Sequence, residues 1–107
     1  MLSNSVYNPS KYEIRYTSEA LADLSTLRKF DRETILDQVD AYLKYEPNLE
    51  TRSRKPLKPN AIADWELRLG KYRVLYDIEK EVKIVAVQAV GIKIGSQLFI
   101  RNEKTDL

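Results

Sequence analysis

Three strand-like segments in the second half of the chain constrain the fold more than any other part of the sequence. Trp65 to Leu69, Tyr72 to Ile78 and Val82 to Val90 are rich in aromatic and β-branched residues, as strands are. Only Gly70-Lys71 and Glu79-Lys80-Glu81 separate them, and turns this short join antiparallel neighbours. The pattern therefore predicts an antiparallel meander.

The first half of the sequence begins with one more strand pattern and then changes to helical periodicity. Tyr12 to Thr17 alternates apolar and polar residues, which is typical of a half-buried strand. Thr17 or Ser18 can cap a helix that ends near Lys29. Its apolar residues recur every three to four positions and form one stripe, made of Ala20, Leu21, Leu24 and Leu27.

A second helix is predicted directly after the first. Asp31 suits its N-cap, and Phe30 and Ile35 have the spacing of a hydrophobic staple. Pro47 stops this helix a little after Tyr45. Its apolar stripe consists of Ile35, Leu36, Val39, Tyr42 and Leu43.

These segments predict an α+β fold with the order βααβββ. An N-terminal αα-hairpin should pack on a twisted, mainly antiparallel sheet, because each helix offers one apolar face. After Gly91, the strand-like segments at 92–94 and 98–100 flank Gly95-Ser96, which predicts an extra C-terminal hairpin. Residues 1–11 are expected to be a loose lead-in, and residues 102–107 a polar tail.

Length and composition exclude several classes of protein. A chain of 107 residues supports one core, so we expect a single domain over residues 1–107. No segment approaches the ~20 apolar residues of a membrane span, and the first ten residues do not have the pattern of a signal peptide, so we expect a soluble, cytoplasmic protein. The sequence contains neither cysteine nor histidine, which excludes disulfides, thiolate nucleophiles and Ser-His catalysis. No metal or cofactor is expected.

A basic segment occupies the middle of the chain. Residues 46–63 contain three of the four prolines and are predicted to form a long surface loop. Between residues 50 and 73 there are seven basic and three acidic residues, so that 7 − 3 = +4, although the whole chain carries only +2. This distribution indicates either a polyanion partner or a solvated loop. The loop residues that would contact the phosphates of such a partner are Arg52, Arg54, Lys55 and Lys58.

Two arginines are expected to meet on one face of the meander. If Trp65, Leu67 and Leu69 face the helices, the alternation of side chains puts Arg68 on the opposite face. The same alternation in the next strand puts Arg73 beside Arg68, near the tip of the hairpin. Two such arginines can bind a phosphate through paired hydrogen bonds, or they can form cross-strand ion pairs with Glu66 and Asp77.

At this point the sequence resembles a known family. Residues 65–77, W-E-L-R-L-G-K-Y-R-V-L-Y-D, are similar to the hairpin motif of the RelE/ParE toxin superfamily. Lys55-Pro56-Leu57 resembles the "KPL" that precedes this motif, and Val85 to Gly91 resembles the last core strand. The resemblance covers about residues 12–91 and implies a RelE-like fold.

The resemblance also implies two possible activities. RelE-like members are ribosome-dependent mRNA endonucleases, in which the 2′-hydroxyl of the RNA attacks the adjacent phosphate without a metal. ParE-like members inhibit DNA gyrase. For a nuclease, the resemblance implies that Arg73 matches the phosphate-stabilising arginine, Arg68 a catalytic lysine and Lys93 another arginine. Lys71, Lys93 or a lysine of the 55–58 stretch would share the proton transfers, or the ribosome would supply part of the chemistry.

Two positions depart from the nuclease pattern. Glu66 stands where active nucleases carry a basic residue, and Phe99 lies near the place of their catalytic tyrosine. The nuclease is the preferred hypothesis, and these departures motivate the alternative, a ParE-like gyrase inhibitor or a toxin that has lost its chemistry and only binds its antitoxin. In either case the resemblance implies a cognate antitoxin as partner, and Leu75 and parts of the segment at 98–100 are candidates for that contact. The other partners would be the ribosome and mRNA for a nuclease, or DNA gyrase for an inhibitor.

Overall fold

The computed structural model describes residues 11–107, so most of the expected loose lead-in lies outside the described residues. Within these residues there are two helices and seven strands, and the α+β prediction is confirmed. The predicted elements occur in the predicted order. Within the described residues, no helix is long and apolar enough to cross a membrane. The elements are β1 (Glu13–Tyr16), α1 (Ser18–Ser25), α2 (Lys29–Leu43), β2 (Arg54–Pro56), β3 (Trp65–Leu69), β4 (Tyr72–Glu79), β5 (Ile84–Ile94), β6 (Gln97–Ile100) and β7 (Glu103–Thr105).

The two helices begin for different reasons. The Thr17 hydroxyl accepts a hydrogen bond from the Ala20 backbone nitrogen at 3.1 Å, so Thr17 caps α1 as predicted. The second helix is present, but its predicted N-cap and hydrophobic staple are wrong. The helix begins at Lys29, and Phe30 in its first turn is 78% exposed rather than packed against Ile35. Asp31 does not cap the helix and instead accepts a hydrogen bond from the Tyr72 hydroxyl at 3.0 Å.

The sheet runs β2-β3-β4-β5-β6-β7, with all of these neighbours antiparallel. β1 is parallel to β5 and pairs with its first half. β6 pairs with the last residues of β5, along the same edge of that strand. The predicted meander and C-terminal hairpin are both present. Two strands were not predicted: β2 lies within the expected loop, and β7 lies within the expected tail.

The main core lies between the helices and one face of the sheet. Leu24 of α1 and Val39 of α2 pack with Leu67 of β3, Val74 of β4 and Val87 of β5, and all five are almost completely buried. These residues come from the apolar stripes and the alternating positions of the sequence. Their burial fixes which face of β3 and β4 is turned toward the helices, because a shift of one residue would turn every side chain over.

A second, smaller cluster lies on the opposite face of the sheet. Leu75 of β4 is fully buried there, so it is not the exposed contact residue that the sequence suggested. Leu57, from the segment between β2 and β3, and Leu107, after β7, pack against this cluster from the two ends of the sheet. The other buried members are Ala63, Ala89, Leu98 and Ile100. The face that carries the arginines is therefore partly covered.

A buried acid, Asp23, lies beside the part of β5 where its pairing partner changes from β1 to β6. Asp23 of α1 accepts a hydrogen bond from the Val90 backbone nitrogen at 3.0 Å, and its other carboxylate oxygen lies 3.2 Å from Nε of Arg101. Burial raises the pKa of Asp23, while the Val90 hydrogen bond and the Arg101 charge oppose this rise. Arg101 adopts a left-handed φ of 52° in the β6–β7 turn, a conformation that is uncommon outside glycine. Asp23 thus ties α1 to the turn that starts β7.

Replacing Asp23 by alanine is expected to lower the free energy of unfolding by about 1–3 kcal/mol, because the Val90 N–H would remain buried without an acceptor. Asp37→Ala is the control, since Asp37 is an exposed acid on α2. Urea unfolding followed by circular dichroism measures both variants. Equal stability of the two variants would contradict the role given to Asp23.

Candidate phosphate-binding site

The β3–β4 hairpin carries the candidate site. Gly70 forms its turn with a φ of 59°, a left-handed conformation that glycine adopts at little cost. Arg68 of β3 is directly opposite Arg73 of β4 in the strand register. Because Leu67 and Val74 beside them face the helices, both arginines belong to the opposite face. The structure thus places the two arginines side by side, as the alternation of the strands predicts.

Arg68 forms an ion pair along its own strand. Its Nε lies 2.9 Å from Oε2 of Glu66, and the side chain remains 47% exposed. The Glu66 side chain is only 9% exposed. Arg68 and Glu66 therefore do form an ion pair, but it lies along one strand and is not the cross-strand pair that the sequence offered as an alternative to phosphate binding.

Arg73 does not form an ion pair with Asp77. Its Nη1 donates to the backbone oxygens of Gly70 at 2.6 Å and Tyr72 at 2.9 Å, so the side chain bends toward the hairpin turn. Asp77 instead accepts hydrogen bonds from the Asp64 backbone nitrogen and from Gln88. Nε of Arg73 is a buried nitrogen with no hydrogen-bond partner among residues 11–107. An arginine without an acid partner, opposite a second arginine, has charge available for an anion.

A groove of about 390 Å³ runs beside Arg68 on this face. We call it the open-face groove. Glu66, Arg68 and Lys93 contribute its charged lining from the sheet, and Leu57 and Leu98 contribute apolar lining. The rest of the lining comes from Ser96, Gln97 and the C-terminal residues 104–107. Lys93 therefore shares a groove with Arg68, although the two residues are 25 positions apart in the sequence.

Lys71 and Phe99 lie away from this groove. The Lys71 ammonium lies 5.5 Å from the centre of the Tyr72 ring, whose hydroxyl bonds to Asp31 on the helical side. Phe99 pairs with Ile92 in the register and lines a separate cleft beside α1, on the side of the sheet that the helices cover. Phe99 consequently does not occupy a position in the groove where a catalytic tyrosine would act.

The basic loop residues have different environments. Arg54 donates to the Tyr42 carbonyl oxygen through Nε at 3.1 Å and Nη2 at 2.8 Å, and its guanidinium stacks on the Tyr42 ring, so it holds the loop to α2. Lys55 lies 3.8 Å from Glu50 and opposite Glu66 in the register. Arg52 and Lys58 are exposed.

Electrostatics favour an anion at the arginine pair. Like charges directly opposite each other on neighbouring strands destabilise a sheet, and a bound anion removes that repulsion. Guanidinium groups match the geometry of phosphate oxygens and stay charged at neutral pH. Gly91 lies opposite Arg73 on β5, and a Cβ atom there would lie only 2.7 Å from the Phe99 backbone oxygen and 2.9 Å from the Ile100 side chain, so β6 packs closely against this part of β5. The arginine pair is therefore a candidate site for binding a phosphate and for stabilising negative charge that develops on it.

Comparisons with known proteins agree with this fold. No protein-family model matches the chain, and no curated protein matches its sequence significantly. Among solved structures, a chain of the toxin-antitoxin complex RelBE2 from Mycobacterium tuberculosis is similar, with 28% identity and a TM-score of 0.65. The match covers 78% of this chain and 99% of that chain. A chain of the archaeal RelE-RelB complex from Pyrococcus horikoshii has 24% identity and a TM-score of 0.61, over 75% of this chain and 92% of that chain.

The fold defines a class of small α+β proteins in which two helices pack on a mainly antiparallel sheet and two arginines lie on the other face. Together with the matched structures, it shows that this chain has a RelE-like fold.

Proposed function

We propose that this protein is the toxin of a type II toxin-antitoxin pair and that it inhibits translation by cutting mRNA on the ribosome. The observation that carries the proposal is the cross-strand pair of Arg68 and Arg73 beside the open-face groove. Glu66 compensates the charge of Arg68, but Arg73 has no acid partner among residues 11–107, so the pair gains from a phosphate between its guanidinium groups. They also stabilise the extra negative charge of the transition state when that phosphate is attacked.

The proposed reaction uses the RNA itself as nucleophile. The 2′-hydroxyl attacks the adjacent phosphate, which needs no metal and no histidine. Arg73 and Arg68 bind the scissile phosphate, and Lys93 lies in the same groove for contact with the reacting strand. The exposed Arg52 and Lys58 are positioned on the loop for contact with flanking phosphates, whereas Arg54 is occupied by its bonds to α2.

The proposed partner that controls this activity is a cognate antitoxin. One similar structure is the toxin-antitoxin complex RelBE2, and the other is an archaeal RelE-RelB complex. A flexible antitoxin segment that covers the arginine pair would block phosphate binding directly, since carboxylates and phosphates bind arginine in the same way.

A translating extract tests the proposal. We expect the purified protein to break mRNA within translated codons and to leave the same RNA intact when ribosomes are absent. Mapping of the 5′ ends measures this result, and a supercoiling assay with purified gyrase is run in parallel. Intact mRNA together with dose-dependent inhibition of supercoiling would replace the nuclease with a gyrase inhibitor.

A further inference from the structure

Glu66 is a buried acid with one oxygen left available in the open-face groove. Its Oε2 accepts a hydrogen bond from Nε of Arg68 at 2.9 Å. Its Oε1 accepts no hydrogen bond from residues 11–107 and is not sealed from solvent. The side chain is 9% exposed and contributes to the lining of the groove. An arginine thus fixes the orientation of this carboxylate while its second oxygen stays free to act.

We propose that Glu66 is the general base of the RNA cleavage, an inference that rests on the proposed function. Oε1 takes the proton of the attacking 2′-hydroxyl as the 2′-oxygen forms its bond to phosphorus. The bond from phosphorus to the 5′-oxygen breaks, and that oxygen takes a proton from the ammonium group of Lys93. The products are a 2′,3′-cyclic phosphate and a 5′-hydroxyl, and both side chains then exchange protons with water.

The chemistry of the other groups leaves Glu66 as the suitable base. A guanidinium does not release its proton at neutral pH, and a lysine ammonium is already protonated, so neither accepts a proton readily. A carboxylate is ionised under the same conditions and can accept one. Asp77 lies on the same face, but both of its oxygens are occupied, one by the Asp64 nitrogen at 2.8 Å and the other by Gln88 at 3.1 Å.

The charges around Glu66 come from every element that packs beside it. Lys55 of β2 is opposite Glu66 in the register, and Arg68 follows it on β3. Arg73 of β4 is opposite Arg68, and Lys93 of β5 lies across the groove. Lys104 and Asp106 contribute the charged residues of the C-terminal segment. Glu66 is thus an acid among mainly basic groups, which can bind a phosphate within its reach.

The test is Glu66→Gln in the ribosome-dependent cleavage assay. Glutamine keeps an oxygen that accepts a hydrogen bond from Arg68, but it cannot take a proton. The expected result is a loss of about 10²- to 10⁴-fold in the cleavage rate at saturating ribosomes, the usual cost of removing a general base. Binding to ribosomes and unfolding in urea should remain close to the wild type. The cleavage rate of the wild type should rise with pH on the acid side, and the variant should lose this rise.

Glu13→Gln is a matched control. Glu13 pairs with Arg15 two positions along β1, with a distance of 3.0 Å from Nε to Oε2, so it repeats that one contact outside the groove. Its Oε1 also accepts a hydrogen bond from Nη2 of Arg15 at 3.3 Å, and the side chain is exposed. This variant should cleave RNA at the wild-type rate.

Three outcomes would overturn the assignment. A Glu66→Gln variant with nearly full activity and an unchanged pH profile would show that Glu66 only orients Arg68. A more active variant would show that the acid merely repels RNA. A wild-type protein that cleaves no RNA would overturn the proposed function and this assignment together, whereas the first two outcomes would leave the proposed function intact.

Discussion

Alanine at position 73 is expected to reduce ribosome-dependent cleavage by about 10²- to 10³-fold, the usual effect of removing one donor that stabilises transition-state charge. Arg73 has no acid partner among the described residues, and its Nε has no hydrogen-bond partner there. A bound phosphate would therefore be its main partner. Cells that produce Arg73→Ala without antitoxin should keep growing, and mapped mRNA ends should show no breaks within translated codons.

The fold should tolerate this substitution. The Arg73 guanidinium bonds only to the carbonyl oxygens of Gly70 and Tyr72, within its own hairpin, and its removal also relieves repulsion from Arg68. The free energy of unfolding should change by less than about 0.5 kcal/mol, as for most surface substitutions. Arg15→Ala removes one positive charge outside the groove and should retain full activity. Continued mRNA cleavage by Arg73→Ala would refute the proposed role of the arginine pair.

The β3–β4 hairpin shows what the sequence could predict. Its strands alternate regularly, and Gly70 marks the turn, so the register follows from local pattern alone. The pairing of Arg68 with Arg73 is a direct consequence of that register. Prediction succeeded here because every determinant lies within about a dozen consecutive residues.

Features that depend on distant parts of the chain were not predictable in this way. Leu75 was predicted to be exposed but is fully buried. The alternation of side chains along a strand predicts the face that a side chain occupies, but not whether another segment covers that face. Leu57 and Leu107 reach it from opposite ends of the sheet. The short strands β2 and β7 were missed for a similar reason, since each has only three residues and is held by pairing with its neighbour.

The site itself was predicted in part. The two arginines lie on the predicted face, but Glu66 was treated only as a possible ion-pair partner and as a departure from a family pattern. The proposal that Glu66 is a base rests on its burial, its ion pair with Arg68 and its free oxygen, and these features cannot be read from a sequence. Phe99 was considered a lost catalytic residue, yet the register turns it toward the helical side.

A buried tyrosine helps to attach the basic loop to the core, in addition to Arg54. Tyr76 of β4 is completely buried, and its hydroxyl donates a hydrogen bond of 2.6 Å to the carbonyl oxygen of Pro47, at the start of the segment that leads to β2. Its ring lies 6.1 Å from that of Trp65 in a stacked arrangement. Burial raises the pKa of Tyr76, so the hydroxyl keeps its proton and remains a donor at physiological pH.

Replacing Tyr76 by alanine is therefore expected to lower the free energy of unfolding by about 3–5 kcal/mol, because it removes a large buried ring and leaves a cavity. Tyr76→Phe keeps the ring and removes only the hydrogen bond to Pro47, so it should cost about 1–2 kcal/mol. Tyr45→Ala is the control, since that ring is 48% exposed and its loss should cost much less. Urea unfolding of the three variants measures these values. If Tyr76→Phe were as stable as the wild type, the hydrogen bond to Pro47 would contribute nothing to holding the basic loop against the core.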